Sequence, residues 1–440
     1  MLKNNYIHTG SPNLNQAFTQ NVFNITGTSL ISLISALNSN SFGYDTLFRF
    51  DQNIRKFNDQ YLGTSIKFRD SGGYSIIVGD VNPNDIGKFI NCYVKHLQDS
   101  SDTFDYVFSL DIPFFIGQDN YNTVEYIERQ NRESLSRTIE AIQDNPELKD
   151  KMLFVHQFKM HNQHAIWQRL YKELEIPKYF NHQAIGGMVG LIGFTKINFA
   201  PFLGPIFMTL YNYINNDERP DTMYVHLLGV YHGFSRFMIF FIQKLFNHYI
   251  SEGKYGKECY ISYDTINYFL SAQYKARDGA LYFNYENQEM EAHTKVSSIP
   301  RHVLEDVYQS DNELQIVDEN ITAIQNGNKL TDVNYAVPMY IKSQLNLDDF
   351  YSDIIDKFKM VEIFTDAPNI RNLRNKFNPI LTGLKGKYSF ITSSFANQVM
   401  DSILISYQFH HWYMKDKTEA KLEDLLTRFN NKINFPVDLT

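Results

Sequence analysis

The chain of 440 residues is long enough for one large domain or for two to three smaller ones, and its 43% hydrophobic and 20% charged residues are typical of a globular protein. The formal net charge of −8 argues against a polybasic protein that binds nucleic acids nonspecifically, although it leaves room for a local basic groove. The two cysteines predict no disulfide framework and favour a reducing cytoplasm.

Membrane insertion is not predicted for any segment. The start, MLKNNYIHTGSPNLNQ, lacks the apolar core of a secretory signal. The most apolar stretch, FMIFFIQKLF, is too short to span a bilayer and is interrupted by Gln243 and Lys244. We therefore predict that it forms a buried helix.

Short strand-like runs, each followed by a polar or glycine-rich loop and then by helical periodicity, recur at intervals of roughly 30 to 45 residues. They are SIKF before Asp70, DYVFSL before Asp111, KMLFVH before Gln157, QAI before Gly186, YVHLL before Gly229 and CYISY before Asp264. Apolar residues on one face predict helices in TVEYIERQNRESLSRTIEAIQ and HNQHAIWQRLYKELEI. Alternating buried strands and amphipathic helices predict a parallel sheet.

The spacing of these units favours a closed barrel over an open sheet. Six units between about residues 64 and 283, with strands in the first 60 residues, approach the eight βα units that about 250 residues form in a TIM barrel. No Gly-x-Gly-x-x-Gly or Walker loop occurs, which weakens the doubly wound alternative. We predict an α/β fold with a (β/α)8 TIM barrel core over residues 1–283.

Residues 284–440 are predicted to form an insertion and a mostly helical C-terminal elaboration that completes or flanks the barrel. The first part is polar and poorly periodic, whereas DDFYSDIIDKFKMVEIF and TEAKLEDLLTRFNNKINF predict helices. This region is also a candidate contact surface for nucleic acid.

Residues at the carboxyl ends of barrel strands converge on one mouth, where active sites lie. We therefore expect the following strand-end residues to face one another: Asp70, Asp111, Gln157, Gly186, Gly187, Gly229 and Asp264. Each acid alone has a structural alternative, because DSGGY can form a turn and the other aspartates can cap helices or close turns. Three acids at three strand ends favour a site.

The motifs DSGGY, VFSLDIP, LFVHQF, AIGGMVG, VHLLGV and SYDTIN resemble, in order and spacing, those of the tRNA-guanine transglycosylase superfamily. The resemblance covers about residues 60 to 283, half of the chain, and DSGGY is its most specific motif. It implies an enzyme, a pentosyltransferase that cuts guanine from its sugar and attaches a 7-deazaguanine base in its place, without a cofactor.

The resemblance also implies roles for individual residues. Retention at C1′ requires two inversions, hence a carboxylate nucleophile and a separate acid–base group. Asp70 matches the acid–base aspartate, Tyr74 the stacking tyrosine, and Asp111 the acceptor from N1 and N2 of guanine. The other matched base-binding residues are Ser71, Gly72 and Gly73 of the same loop, Gln157 near O6, Gly186, Gly187 and Met188 beside the base, and Leu228 and Gly229 against the purine.

The nucleophile follows from a departure from the family pattern. In the tRNA enzymes it is the second aspartate of Gly-x-Asp-x-Phe-Asp, a position that SYDTIN fills with Asn267 when aligned without gaps. An amide cannot act as the anionic nucleophile, so either Asp264 attacks C1′ or the protein is inactive. The DNA-guanine transglycosylases of 7-deazaguanine DNA modification systems look similar here, with Ser-x-Asp and then Ser or Thr. Our hypothesis is that Asp264 is the nucleophile.

A second departure concerns metal. The tRNA enzymes carry Cys-x-Cys-x2-Cys and a later His as a structural zinc site, whereas no cysteine follows Cys259 here. We therefore expect no zinc subdomain and no metal site. Without a part that helps to seat tRNA, another polynucleotide becomes a plausible substrate.

A basic segment without acidic residues runs from Ala367 to Met400. Its cations form a predicted phosphate track with interleaved aromatic residues as base-stacking platforms. The cations are Arg371, Arg374, Lys376, Lys385 and Lys387, and the aromatic residues are Phe377, Tyr388 and Phe390. A solvated basic helix and loop that balance an acidic protein are the alternative.

The function expected first is that of a DNA-guanine transglycosylase that flips a deoxyguanosine into the barrel mouth and inserts a base such as preQ0. A zinc-free tRNA-guanine transglycosylase and a catalytically silent homologue acting as a binding subunit are the alternatives. Expected partners are DNA, or tRNA in the alternative, and the free 7-deazaguanine, with a homodimer or a partner protein left open. The expected location is the cytoplasm of a bacterial or virus-infected cell, away from membranes.

Overall fold

The computed structural model describes most of the chain. The described residues are 2, 4–9, 16–33, 42–63, 65–77, 81–113, 123–157, 161–187, 199–276, 282–286, 289–293 and 299–430. Of the expected site residues, Met188 and the side chain of Tyr74 lie outside this set.

Ten strands occur among the described residues. They are β1 Tyr6–Ile7, β2 Thr28–Ser32, β3 Ile66–Asp70, β4 Tyr106–Phe108, β5 Met152–Gln157, β6 His182–Gly186, β7 Thr222–Leu227, β8 Glu258–Asp264, β9 Tyr282–Glu286 and β10 Glu289–His293. Strands β1 to β8 form one parallel sheet in the order β1-β8-β7-β6-β5-β4-β3-β2, and β9 and β10 form a separate antiparallel pair. The six strand-like runs of the sequence are all strands of the parallel sheet.

The two ends of the parallel sheet meet. A bridge joins Thr9, just after β1, to Leu30 of β2, and the Leu30 amide donates to the carbonyl of His8 at 2.7 Å. Strand β1 therefore pairs with β8 on one side and adjoins β2 on the other. The sheet is a nearly closed eight-stranded parallel barrel, which confirms the predicted (β/α)8 fold.

Helices follow most of the barrel strands and fill the C-terminal region. They are α1 Gln16–Thr26, α2 Tyr44–Phe57, α3 Gly73–Ile77, α4 Ile86–Asp99, α5 Val124–Asp144, α6 His161–Glu173, α7 Ala200–Ile214, α8 Gly233–Gly253, α9 Asn267–Ala276, α10 Arg301–Val307, α11 Asp311–Gln325, α12 Val337–Lys357, α13 Met360–Thr365, α14 Ile370–Lys387, α15 Ser393–Lys415 and α16 Glu419–Asn430. The helices predicted from periodicity correspond to α5, α6, α8, α12 with α13, and α16. The described helices include none with the length and apolar character needed to cross a membrane.

The chain divides into two compact units. Unit 1 comprises Met1–Thr123, Glu133–Lys151 and Ser262–Phe350, and unit 2 comprises Val124–Arg132, Met152–Ile261 and Tyr351–Thr440. The domain boundary expected after residue 283 stays a prediction.

The apolar stretch FMIFFIQKLF lies in α8, in unit 2, and is buried along most of its length, as predicted. Helices α7, α8 and α15 pack together there. Phe207 of α7 stacks on Phe409 of α15 with ring centroids 4.8 Å apart and meets Phe246 of α8 edge-on at 5.1 Å. Burying a side chain of this size contributes about 1.5–3 kcal/mol, so each ring of this aromatic cluster stabilises unit 2 by about that amount.

The polar, poorly periodic segment of the sequence contains helices α10 and α11. Helix α11 begins with a reciprocal capping box, in which the Glu313 amide donates to the Ser310 hydroxyl and the Ser310 amide donates to the Glu313 carboxylate. The Ser-x-x-Glu pattern that forms this box was visible in the sequence and could have located the helix.

Candidate functional site

The DSGGY loop follows β3 directly. Asp70 is the last residue of β3, opposite Ser32 of β2, and its carbonyl accepts from the Leu33 amide at 2.8 Å. Gly72 has φ +99°, a conformation that a residue with a side chain rarely adopts, and its carbonyl accepts from Ser75 at the start of α3. The glycine therefore turns the chain two residues after the strand end, as the simple turn interpretation of this motif requires.

The same loop lies against the carboxylate of Asp111. A Cβ added at Gly73 would come within 2.9 Å of the Asp111 Oδ1 atom, so position 73 has no room for a side chain unless the carboxylate moves. Asp111 is 4% exposed. Glycine at position 73 is therefore required for more than the turn, because it lets the backbone approach the buried carboxylate of Asp111.

Two of the three expected acids, Asp70 and Asp111, lie near the same tyrosine, Tyr93. Tyr93 of α4 is buried and donates to the Phe108 carbonyl at 2.8 Å. Burial raises the pKa of Tyr93, and the negative charges of Asp111 and Asp70 raise it further. Both carboxylates therefore lie near this ring, which brings the ends of β3 and β4 to the same place in unit 1.

Asp264 is the last residue of β8 and is 9% exposed. It lies opposite Ile7 of β1, and the Thr9 hydroxyl donates to its Oδ2 atom at 3.5 Å. Burial raises the pKa of Tyr6, and the charge of Asp264 raises it further. The first strand of the chain thus supplies the neighbours of this carboxylate, which the motifs of the sequence did not predict.

The start of helix α9, just after Asp264, contacts a neighbouring hydroxyl. The Thr265 hydroxyl accepts from the Asn267 amide at 3.1 Å. Thr265 therefore bonds one amide of the first turn of α9, and the helix-capping role of Asp264 stays an alternative. Asn267 is half-buried in the first turn of α9.

Asp70 and Asp264 end two parallel strands of one sheet, so both lie at the carboxyl edge of unit 1. Strands β1 and β2 separate β3 from β8. Three strand spacings of about 4.8 Å give a lateral separation of about 14 Å. The register adds a stagger along the strands, because Asp264 is level with Ile7 and, through the Thr9–Leu30 bridge, with Ile66, four residues before Asp70. The two carboxylates are not at opposite ends of the barrel.

Unit 2 carries the expected amide and glycine residues. Gln157 is the last residue of β5 and lies opposite Gly186, the last residue of β6. A Cβ at Gly186 would lie 2.4 Å from the Gln157 Nε2 atom, so the Gln157 side chain occupies the space over this glycine. Gln157 is 8% exposed, and the neighbouring Gly187 has φ +85°.

The loop after β7 joins the same unit. The Leu228 amide donates to the Ile185 carbonyl of β6 at 3.0 Å, and Gly229 has φ +82°. Unit 2 therefore presents backbone groups, a carboxamide and glycines at its strand ends.

Ser71 has an unusual environment. It is 1% exposed, and its hydroxyl has no hydrogen-bond partner in the part of the chain that the structure describes. Buried hydroxyls are normally paired, so this group is available to a polar atom of a ligand.

The five expected phosphate-binding cations lie exposed on α14, in unit 2. At 100° per residue, Arg371, Arg374 and Lys385 fall on one side of the buried face of this helix. Lys376 and Lys387 fall on the other side. The predicted track is therefore two separate stripes.

The aromatic residues of this segment do not all match the prediction. Phe377 is fully buried and packs edge-on against Phe241 of α8, so the expectation that it offers a stacking platform is wrong. Its position on the apolar face of α14, with Leu373, Leu381 and Leu384, is the reason. Tyr388 and Phe390 are half-buried and contact each other at 5.7 Å.

No group of three or more His, Cys, Asp or Glu side chains among the described residues could hold a metal ion. A scan of known protein-family models and a search of curated proteins both found nothing that matches this chain.

Proposed function

We propose that this protein is a DNA-guanine transglycosylase that exchanges guanine in DNA for a 7-deazaguanine base such as preQ0. The observation that carries the proposal is the set of carboxylates in unit 1. Asp70 and Asp264 end parallel strands at one edge of the sheet, and the DSGGY loop lies against the buried carboxylate of Asp111.

In the proposed reaction, Asp264 attacks C1′ of the target nucleoside. A C–O ester bond forms as the C1′–N9 bond to guanine breaks, and Asp70 donates a proton to the departing base. Asp70 then takes the N9 proton of the incoming base, whose nitrogen attacks C1′ and releases the Asp264 carboxylate. Two inversions return the original configuration.

Base recognition is assigned to neutral groups and to Asp111. The Asp111 carboxylate accepts from the N1–H and N2–H donors that guanine and preQ0 share. The motif match assigns the O6-side donors to Gln157 and to the backbone groups after β6 and β7. A pocket of this kind must offset the few kcal/mol that extraction of a base from its stack costs.

The choice of DNA depends on the SYDT sequence and on the absence of cysteine after Cys259, both features of the chain itself. The structure adds support from α14, whose five exposed cations form no ion pair with any described residue. Of the exposed arginines elsewhere, some are paired, as in Arg55–Asp102 and Arg301–Asp318, and others, such as Arg49 and Arg129, form no salt bridge with a described residue. Lys385 donates to the Ser393 hydroxyl and Lys387 lies over the Tyr388 ring. Exposed cations without a carboxylate partner suit a polyanion.

A direct test incubates the protein with labelled preQ0 and either plasmid DNA or tRNA, and counts the label in each polymer. We expect incorporation into DNA and release of an equal amount of guanine. Incorporation into tRNA alone would overturn the choice of polymer. Label in neither polymer would contradict base exchange by this chain.

A further inference from the structure

Helix α9, which begins just after Asp264, exposes apolar side chains on one face. Ile266 before its first residue is 52% exposed, Leu270 is 50% exposed and Tyr274 is 72% exposed. Residues spaced by four lie on one side of a helix, so these three form a continuous stripe. We call Ile266, Leu270 and Tyr274 the α9 stripe.

The other side of α9 is already packed. Tyr268, Ala272 and Ala276 are fully buried, and Tyr268 contacts Tyr6 with ring centroids 4.8 Å apart. The α9 stripe is therefore additional to the core contacts of this helix. Contiguous exposed apolar side chains of this size mark interaction surfaces more often than isolated ones do.

The position and charge of the α9 stripe indicate its occupant. It begins two residues after Asp264, and α9 with sequence NYFLSAQYKA contains no acidic residue that would repel phosphates. A nucleoside bound at Asp264 is part of a polymer in the proposed function. The nucleotides on either side of it must then pass over the surface that adjoins this strand end.

We infer that the α9 stripe binds the nucleotides that flank the reacting nucleoside, an inference that rests on the proposed function. The Tyr274 ring stacks on a base, and Ile266 and Leu270 contact base and sugar faces beside the position that the extruded nucleoside leaves. The stripe would thereby stabilise the extruded state, because apolar contacts replace the base stacking that is lost.

The test uses the full chain and an oligonucleotide with 2-aminopurine next to the target guanine. Binding of the unmodified protein should change the 2-aminopurine fluorescence as its stacking changes. Tyr274→Ala, and separately Ile266→Ala with Leu270→Ala, should abolish that change and weaken binding by about 5- to 100-fold, the range for loss of one base–aromatic contact. The matched control is Phe48→Ala, which removes an exposed aromatic side chain from α2.

The outcomes separate this inference from the proposed function. If DNA takes up label and the stripe variants behave like Phe48→Ala, the α9 stripe is not a nucleotide contact while base exchange stands. If no polymer takes up label but the fluorescence change depends on Tyr274, the surface binds nucleic acid and the proposed reaction fails. Light scattering that shows a dimer dissociating in Tyr274→Ala, with binding unchanged, would assign the stripe to a second copy and overturn the inference.

Discussion

The strand ends of unit 1 and unit 2 differ in chemistry although they belong to one sheet. In unit 1, β3 and β8 end in the carboxylates of Asp70 and Asp264. In unit 2, β5 and β6 end in the carboxamide of Gln157 and in Gly186. The described strand ends of unit 1 therefore carry groups that can attack or transfer protons, whereas those of unit 2 carry neutral groups.

The largest effect is expected when the proposed nucleophile is removed, which tests whether the carboxylates of unit 1 carry the reaction. Asp264→Ala should lower base exchange by about 10³-fold or more and eliminate any covalent protein–DNA adduct, because no other group replaces the attacking carboxylate. The measurement is label uptake together with an adduct assay on denaturing gels.

Gln157→Ala provides the contrast from unit 2. It should weaken base binding while adduct formation continues. Asp59→Asn, at an exposed position of unit 1, is the control for surface charge.

The contradicting outcome for the nucleophile is an adduct that persists in Asp264→Ala, which would reject the assignment of Asp264.

The dependence of stability on acidic pH can be compared between the units, because each contains a buried histidine. Burial lowers the pKa of His8 in unit 1 to about 4 and that of His156 in unit 2 to about 3. In the unfolded chain each histidine binds a proton below about pH 6.5, whereas in the folded chain it stays neutral until near pH 4 or pH 3. The free energy of unfolding is therefore unaffected by these histidines above about pH 6.5 and decreases as the pH falls below that value. Each histidine should lower the free energy of unfolding by about 2 kcal/mol between pH 7 and pH 5.

Urea unfolding at several pH values measures this effect. His8→Gln and His156→Gln should each flatten the dependence of the unfolding free energy on pH below 6.5, whatever they do to stability at neutral pH. The exposed His302→Gln is the control. A pH dependence that neither replacement alters would show that the buried histidines do not control acid stability.

Gly73 in unit 1 and Gly186 in unit 2 each have a polar side chain packed against them, so replacing them tests both units with a smaller expected effect. Gly73→Ala should displace the Asp111 carboxylate, and Gly186→Ala should displace the Gln157 amide, because a Cβ would lie 2.9 Å and 2.4 Å from these groups. Both should reduce kcat/KM by about 10- to 100-fold, since misplacement of a binding group by about 1 Å has that effect. Exchange kinetics and thermal melts measure the two consequences separately.

Each glycine has a matched control in a helix. An added Cβ would meet nothing within 4 Å at Gly87 in α4 or at Gly383 in α14. Alanine at these positions should leave exchange unchanged and stabilise the helix by about 0.5–1 kcal/mol. If Gly73→Ala and Gly186→Ala are as active as these controls, the close approaches have no role in binding.

The smallest expected effect concerns the positive charge of unit 2. Arg371→Gln with Arg374→Gln removes two cations from one side of α14. If these bind phosphates, DNA affinity at physiological salt falls by about 10-fold and the slope of log affinity against log salt decreases by about 2. Lys376→Gln with Lys387→Gln removes the same charge from the other side, so equal effects of both pairs would indicate a general field rather than a track.

Sequence reasoning identified the barrel because its signals are local. Each of these strands ends at a polar or glycine residue or within two residues before one, and the helices between strands have a periodic apolar face, so β3 to β8 could be located from the chain alone. The contact of Thr9 with Asp264 joins residues 255 positions apart and has no local signal. Phe377 was misjudged for a related reason, since alternation with cations says nothing of which side of α14 is buried.

The proximity of Gly73 to Asp111 links two positions that are 38 residues apart in the chain. In an evolving lineage neither position can change freely, because a larger residue at 73 needs a shorter one at 111. Homologous chains are therefore expected to show correlated substitution at this pair, and likewise at Gly186 and Gln157. Where such chains keep both glycines, they are expected to keep the two polar side chains as well.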